Sequence, residues 1–407
     1  MRLRKLSYGC LLLLSSHCIA ADISGLMQVR YNQTDNPNSW LYQGTGGYRY
    51  DETRSGASIG QALLNIEQDF DSGLTGHAVL NYHDDPKESV GFTQAYLKYK
   101  PLSNTRYKWQ LQTGLFYPRM SLENPDIAWL SPYTYSNSAI NSWIGEEIKT
   151  IGAEFEISRP GRQFASAHSF NFVASIFKGN DPAGTLLAWR GFAIHDRQTS
   201  LNEVIPFADL PSFKDSPLRR QASNVRPFEE IDGRFGAYVG VHWDYFKQSQ
   251  LRVYYYDNNG DPSVVNIRTG QYAWDTKFTS VAWQYKFNPQ WRLITQAMIG
   301  NTAMGRSRGV DTDFSAYYAL VSYQQGKHRV SARFDDFSVT EREHWPWDPN
   351  DSDGQSWTLA WRYNLKENWQ VGLEISVLDT FVENRNLWAW PQNESQQQWQ
   401  GNIQYRF

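Results

Sequence analysis

The sequence predicts an all-β chain folded as a transmembrane antiparallel β-barrel. Apolar and polar residues alternate through most of the chain, for example from Phe235 to Tyr245 and from Thr279 to Phe287. This period of two is typical of strands with one apolar face. The connections between such segments are alternately short and long, and aromatic residues flank the short ones. Tight turns at one rim, long loops at the other and a girdle of aromatic rings are typical of an outer-membrane barrel.

Composition excludes several other classes of protein. The chain of 407 residues has 39 basic and 42 acidic side chains, and 15% of its residues are aromatic. The near-neutral charge without a basic block argues against a nucleic-acid partner, and the aromatic content argues against disorder. After residue 21, no apolar run approaches the roughly 18 residues that a membrane-spanning helix requires. We therefore expect strands rather than helices to cross the membrane.

The first twenty residues predict a secretory signal peptide. Three basic residues within positions 2–5 precede an apolar run at 11–14, and residues 18–20 end in a small side chain suited to cleavage before Ala21. Residues 21–407 would then form a single barrel domain. Both cysteines, Cys10 and Cys18, would leave with the signal. We therefore expect neither disulfides nor thiolate chemistry in the mature chain.

The alternation predicts sixteen strands. Because this number is even, both ends of the domain lie on the periplasmic side. A further candidate, Leu186 to Ile194, breaks this parity, so it belongs either to a long loop or to a barrel of eighteen strands. A barrel this wide is not filled by its own side chains, and we expect a water-filled lumen with no packed core or plug. The predicted strands lie near residues 22–31, 59–69, 74–83, 90–100, 106–117, 148–157, 165–178, 233–245, 251–258, 274–287, 291–300, 314–324, 328–337, 356–363, 369–379 and 397–407.

The connections divide into short periplasmic turns and long extracellular loops. Tyr99 and Tyr107 bracket one short turn, and Tyr363 and Trp369 bracket another. Such rings favour the membrane interface because they combine an apolar body with a polar edge. The predicted turns lie at 71–73, 101–105, 288–290, 325–327 and 364–368, and the long loops at about 32–57, 118–147, 179–232, 259–272, 339–355 and 380–395.

The C-terminal strand resembles that of a known family. Phe407 ends the sequence, and Tyr405 and Ile403 precede it on the same strand face. This terminus resembles the assembly signal of bacterial outer-membrane proteins, and together with the signal peptide and the two sizes of loop it makes the chain similar to the porin superfamily. The resemblance implies the outer membrane of a Gram-negative bacterium, contact with lipid and lipopolysaccharide, recognition of the Phe407 strand by the barrel-assembly machinery, and a homotrimer as a candidate assembly.

Two long loops are candidates for narrowing the lumen. By strand order, loop 118–147 corresponds to the loop that folds into the barrel and sets the pore size in general porins; the alternative is a loop that rests on lipopolysaccharide. Segment 179–232 loosely resembles the inward loops of phosphate-selective O/P-type porins, whose basic side chains line the path. The candidate constriction residues are Arg119, Trp129, Tyr133 and Trp143 in the first loop and Arg190 and Arg197 in the second.

The inner face of the predicted barrel carries a small excess of basic side chains. The alternation puts ten basic and seven acidic side chains on it. This small excess predicts either a mild anion preference or a mixed-charge wall with little selectivity. The pore-lining candidates are Lys108, Arg252, Arg292, Arg329, Arg333 and Arg362, with Glu154 and Asp335 as counter-charges.

Few residues suggest catalysis or metal binding. His83 precedes Asp84 and His195 precedes Asp196, but neighbouring strand residues point to opposite faces, so neither pair makes an acid–base dyad by itself. The acidic run at 348–354 lacks the spacing of an EF-hand loop. The sequence therefore predicts no enzyme activity, no cofactor and no metal site.

The predicted function is passive diffusion of small hydrophilic solutes through a water-filled lumen. Trp129, Tyr133 and Trp143 would offer an aromatic lane for a sugar or an organic acid if their loop folds inward. One alternative is a substrate-specific channel for phosphate or another anion. The other is a surface barrel whose long loops bind an extracellular partner while its lumen is blocked.

Overall fold

The computed structural model describes residues 21–85, 89–214 and 216–407, which form one closed barrel of sixteen antiparallel strands. The predicted signal peptide, 1–20, lies outside the described residues. The strands, numbered in chain order, are β1 Asp22–Thr34, β2 Gly56–Phe70, β3 Leu74–His83, β4 Ser89–Tyr99, β5 Lys108–Phe116, β6 Thr150–Arg159, β7 His168–Lys178, β8 Gly236–Tyr245, β9 Ser249–Asp257, β10 Asp275–Lys286, β11 Trp291–Met304, β12 Val310–Gln325, β13 His328–Glu341, β14 Ser352–Asn364, β15 Trp369–Val382 and β16 Asn393–Arg406.

Each strand pairs with its neighbours in sequence, and β1 pairs with β16 to close the barrel. The prediction of sixteen strands is confirmed. The extra candidate, Leu186 to Ile194, is not a barrel strand, because it contributes most of helix α2, Thr185–Arg190, and the coil that follows. A second helix, α1, spans Ala139–Glu147. None of the helices in the described parts of the chain is long and apolar enough to cross a membrane.

The two rims differ as predicted. The turn rim carries short connections, such as residues 246–248 between β8 and β9 and 326–327 between β12 and β13. The opposite rim, which faces the outside in barrels of this kind, carries the long connections. Two of these connections are the inner loop, residues 117–149, and the long loop, residues 179–235.

The outer face of the barrel is apolar. Met27, Leu111, Phe172, Val241 and Leu373 are among the large side chains exposed there. Near the turn rim, rings of adjacent strands lie side by side on this face, as in the pairs Trp291–Tyr323 and Trp369–Tyr405, with centroids 4.6 and 4.8 Å apart. Lipid offers no hydrogen bonds to the backbone, so the closed ladder of strands satisfies every central N–H and C=O internally.

The lumen holds a packed core, so the expectation of an unfilled interior is wrong. All nine residues of α1 are buried. The Trp143 ring meets Phe278 and Phe314 edge to face, with centroids 5.4 and 5.2 Å apart. Phe278 and Phe314 occupy inner positions of β10 and β12 near the long-loop rim. The inner face is therefore apolar at this level, and the inner loop folds in to cover it, since aromatic side chains gain stability by leaving water.

The apolar band can be tested with one outward substitution. Leu359 is 52% exposed on the outer face of β14, in register with Ala332 and Ile375. We expect Leu359→Arg to lower the free energy of unfolding by about 2–4 kcal/mol, since it puts a charge near the bilayer midplane. Equilibrium denaturation in lipid vesicles measures this.

The matched control is Gln355→Arg. Gln355 is exposed on the same strand face but near the long-loop rim, where its amide donates to Asp336 Oδ2 at 2.8 Å. We expect this variant to change the free energy of unfolding by no more than about 1 kcal/mol. Equal losses for the two variants would contradict the assigned position of the membrane band.

Candidate functional site

Two cavities open in the half of the lumen near the turn rim. The first has a volume of about 630 Å³ and is lined by Arg329, Arg362 and the turn residues 364–368. The second has a volume of about 640 Å³ and is lined by Arg119, Trp129 and the walls of β2 to β5, β7, β8 and β9. Asp126 of the inner loop lines both. The inner loop thus divides this half of the lumen into a first and a second cavity.

Three arginines without carboxylate partners mark the first cavity. Arg292, Arg329 and Arg362 lie on the inner faces of β11, β13 and β14, and Arg329 faces Arg362 in register. Arg292 donates to the Tyr133 hydroxyl at 2.8 Å. Across the described residues, these guanidinium groups bond to hydroxyl, amide and carbonyl oxygens, and none makes an ion pair. We call Arg292, Arg329 and Arg362 the arginine cluster.

The inner loop holds the arginine cluster in place with tyrosine rings. The guanidinium carbons of Arg292 and Arg329 lie 5.4 and 5.1 Å from the Tyr133 centroid, and that of Arg362 lies 4.0 Å from the Tyr135 centroid. Such cation–π contacts favour the charged arginines without neutralising them. Their positive charge therefore remains available to a solute.

The second cavity is balanced in charge and rich in aromatic rings. Arg119 pairs with Glu154 at 3.0 Å and also with Glu156, and Arg252 pairs with Asp244 at 3.0 Å. The Trp129 ring stacks on Tyr117 with centroids 4.4 Å apart and planes 12° from parallel. Trp129 adopts the left-handed region at φ 62°, which is rare for a bulky residue.

Above the cavities, the inner loop is clamped to the wall of the barrel. Arg333 of β13 donates to Glu123 at 3.0 Å and to Asp335 at 2.7 Å, and all three side chains have 0% exposure. Asp335 in turn accepts the Ala139 N–H at 3.0 Å, and Glu123 accepts that of Ser138. Carboxylates at the start of α1 complement the free N–H groups and the positive end of the helix dipole.

A second set of buried charges joins the inner loop to the long loop. Glu146 contacts Arg190 at 2.8 Å and His195 at 3.2 Å. Burial acts to raise the pKa of Glu146, but the charges of Arg190 and His195 outweigh it and hold this pKa at about 2. Glu147 accepts the N–H groups of Gly184 and Leu186, yet burial raises its pKa to about 7.

The long loop is also fixed to the strands. Arg197 pairs with Glu203, and His83 of β3 lies 3.0 Å from the same carboxylate. Asp196 binds Arg30 of β1 at 2.5 Å and Arg49 at 2.9 Å. The inner side chains of Gln28 and Gln61, which face each other on β1 and β2, are only 3% and 5% exposed. In this structure the two loops therefore fill the lumen above the two cavities.

The structure separates the sequence-predicted site residues into four groups. Arg329 and Arg362 line the first cavity with Arg292 beside them, whereas Arg119, Arg252 and Trp129 line the second. Lys108 is exposed at the turn end of β5. Arg333, Asp335, Glu154, Trp143, Arg190 and Arg197 point into the lumen or lie within it but are covered by neighbouring protein, so they bind the loops rather than contact open solvent.

Sequence reasoning missed several residues of these clamps. Glu123, Glu374 and Arg49 carry buried contacts, and Glu374 accepts the N–H groups of Tyr135 and Ser136 at 2.5 and 2.9 Å. Glu374 is one of the seven acidic residues that the alternation puts on the inner face, but its contact with the inner loop was not predicted. Glu123 and Arg49 lie in irregular loops, where no periodicity indicates which way a side chain points.

Comparisons with known proteins bear on the fold. No protein-family model and no curated protein matches the chain. Among solved structures, the outer-membrane channel DcaP of Acinetobacter baumannii is similar, with 10% identity, a TM-score of 0.56 and coverage of 95% of this chain and 97% of that one. The anion-selective porin from Comamonas acidovorans has 13% identity, a TM-score of 0.52 and coverage of 95% and 99%. OmpT of Vibrio cholerae has 10% identity, a TM-score of 0.52 and coverage of 97% and 99%.

The chain has the porin fold. Its closed antiparallel barrel with an apolar outer face is the architecture of a transmembrane β-barrel. At 10–13% identity the similarity concerns architecture alone, so the roles of individual residues rest on their contacts.

The clamp on the inner loop predicts a large effect of Arg333→Met. This change leaves the buried carboxylates of Glu123 and Asp335 without their cation, which costs roughly 3–5 kcal/mol. We expect the inner loop to undock and the amides of α1 to lose protection in hydrogen exchange. The control Arg342→Met removes an exposed partner of Asp313 and should change protection little. Unchanged protection of α1 in the Arg333 variant would contradict the clamp.

The loop carboxylates predict an acid-dependent opening. Glu146 and Glu203 have pKa values of about 2 in the folded chain, below their usual 4.5. Their stabilisation is complete above pH 4.5 and is lost as the pH falls towards 2. The contribution of Glu147 to stability has the opposite sign, because its pKa is raised. It is complete below pH 4.5 and is lost as the pH rises towards 7.

Single-channel conductance between pH 5 and 2 tests this expectation. We expect conductance to rise below pH 4.5 as the loops loosen, and Glu146→Gln to weaken the dependence. A conductance that stays constant over this range would show that these carboxylates do not hold the loops.

Proposed function

We propose that the protein is a porin that admits small hydrophilic solutes by passive diffusion and favours anions. The arginine cluster carries the proposal: of its three guanidinium groups without carboxylate partners, those of Arg329 and Arg362 line one cavity on the diffusion path, and that of Arg292 lies beside them. A cluster of like charges in a low-dielectric cleft raises the local concentration of oppositely charged solutes. The proposal includes no enzymatic step, since the buried histidines His83 and His195 lie against the carboxylates of Glu203 and Glu146 and help to hold the loops.

The contrast between the two cavities supports the anion preference. In the second cavity, Arg119 and Arg252 are neutralised by Glu154, Glu156 and Asp244. Among the described residues of this cavity, a cation therefore meets no cluster of unpaired carboxylates comparable with the arginine cluster. The stacked Trp129 and Tyr117 offer this cavity's solutes a flat apolar surface, which suits the ring of a sugar or an aromatic acid.

The packed upper lumen implies that diffusion is gated. Solutes pass only when the inner loop or the long loop moves away from the wall, and the Arg333 clamp and the Glu146 contacts oppose that movement. The same packing favours the second candidate, a surface barrel with a blocked lumen whose long loops bind an extracellular partner. The two candidates differ in whether the folded barrel conducts at all.

The membrane partners follow the same proposal. Phe407 exchanges backbone hydrogen bonds with Gly25, at 3.0 and 3.2 Å, and so extends the pairing of β16 with β1. We propose that the barrel-assembly machinery recognises this strand, that lipid and lipopolysaccharide surround the barrel, and that the porin assembles as a homotrimer.

Planar-bilayer recording tests the function. We expect stable conductance steps and, under a KCl gradient, a zero-current potential with the sign of an anion-selective pore. Replacing Arg292, Arg329 and Arg362 together by Gln should lower the ratio of anion to cation permeability severalfold. Phosphate in place of chloride distinguishes a general anion preference from a phosphate-specific channel.

The control removes three arginines of the long-loop rim. Arg219, Arg220 and Arg268 are all exposed, and their replacement by Gln makes the same change in net charge away from the cavities. We expect it to leave the permeability ratio nearly unchanged. An equal effect of both triple variants would reject the arginine cluster as the selectivity site, and a folded barrel that never conducts would favour the blocked surface barrel.

A further inference from the structure

Two neighbouring loops of the outer rim carry the same short motif. Trp345-Pro346-Trp347 lies in the connection between β13 and β14, and Trp388-Ala389-Trp390 lies in the connection between β15 and β16. In both, the two indoles stack on each other, with centroids 5.6 Å apart and planes at 19° in the first pair, and 4.9 Å and 17° in the second. We call residues 342–351 and 383–392 the tryptophan loops.

The outer indole of each pair is open to solvent. Trp345 is 44% exposed and Trp390 is 50% exposed, whereas Trp347 and Trp388 are half-buried beneath them. Trp388 packs against the buried cluster around Trp189. Exposed apolar surface that is grouped rather than scattered, as in these stacked pairs, marks sites of interaction. Because each outer indole is stacked on its inner partner, it loses little conformational entropy when a ligand binds.

These tryptophans lie beyond the membrane, so they are not part of the aromatic girdle. The outward face of the same strands carries Trp357 and then, nearer the rim, Asp336, Asp353 and Asp379. A row of aspartates does not sit in hydrocarbon. The tryptophan loops begin after the ends of these strands and are therefore on the aqueous side of the aspartate row.

Hydrogen-bonding groups lie in the same two loops and at the strand end that precedes the first of them. Carboxylate oxygens of Glu341, Asp351 and Glu383 come within 4.8 Å of one another and join the two loops. Asp351 and Glu383 are half-buried, and the Asp351 carbonyl accepts the Glu383 N–H at 2.9 Å. The Asn350 and Asn384 side-chain oxygens are buried without a partner in the described structure. Flat indole faces on loops that also carry half-buried carboxylates suit a ligand with apolar C–H faces and many hydroxyl groups.

From this arrangement we infer that the tryptophan loops form a binding surface for saccharides on the outside of the cell. The C–H face of a pyranose ring would stack on Trp345 or Trp390, and its hydroxyl groups would donate to the half-buried carboxylates of Asp351 and Glu383. This role is independent of solute diffusion through the lumen. A free oligosaccharide and the sugar portion of lipopolysaccharide present the same chemistry, and the experiment below distinguishes them.

Binding to a glycan array tests the inference. The folded barrel, in an amine-oxide detergent without a sugar headgroup, is applied to an array of α- and β-glucans, chitooligosaccharides and delipidated lipopolysaccharide oligosaccharides. We expect binding to at least one class, and a loss of affinity of about tenfold or more in the double variant Trp345→Ala with Trp390→Ala. Binding to glucans or chitooligosaccharides identifies a free saccharide, and binding to the lipopolysaccharide oligosaccharides identifies the membrane's own glycan.

Two further variants separate stacking from nonspecific adhesion. Trp345→Tyr with Trp390→Tyr keeps aromatic faces and should retain part of the affinity. Phe235→Ala with Ile267→Ala removes side chains that are 59% and 90% exposed on the same rim and should leave binding unchanged. Heat-modifiable migration in electrophoresis verifies that every variant is folded. Binding of no array saccharide, or equal binding by the tryptophan-to-alanine variant, would overturn the inference.

Discussion

The pairing of β1 with β16 is the constraint on which the rest of this structure depends. Nine residue pairs, from Leu26–Arg406 to Thr34–Gln398, close the sheet on itself. In lipid, an open sheet edge would leave a row of backbone groups without hydrogen bonds, at several kcal/mol each. Once the ladder is closed, the barrel no longer depends on the packing of its inner face. That face is free to carry charges, cavities and docked loops.

The inner face uses this freedom differently in its two halves. Near the turn rim it is polar and open, with the arginine cluster on one side and paired charges on the other. Near the long-loop rim it is aromatic and covered by α1. The inner loop crosses from one region to the other, so Tyr133 contacts the arginine cluster while Trp143 packs against the aromatic wall. Movement of this loop would therefore alter both the opening of the lumen and the surroundings of the arginines.

Buried ion pairs hold these loops. Their energetics suit a contact that forms under some conditions and is released under others. Removing two charges from water is costly, and the attraction between them only roughly offsets that cost. Removing one partner is strongly unfavourable, because the other charge is then left buried and unpaired. The Arg333 clamp thus specifies where the inner loop docks more than it adds to stability. Carboxylates such as Glu146 make the docking sensitive to pH, which a purely apolar plug would not be.

The sequence by itself determined the barrel, because side-chain alternation is a local property of an extended strand. It predicted sixteen strands with two sizes of connection, and it put Arg292, Arg329 and Arg362 on the inner face from their strand positions alone. The tertiary structure decided what fills the lumen. Glu123 meets Arg333 across 210 positions of sequence, and Glu123 belongs to a loop without periodicity. Contacts of that kind arise only after closure of the barrel has brought distant strands and loops into one enclosed space.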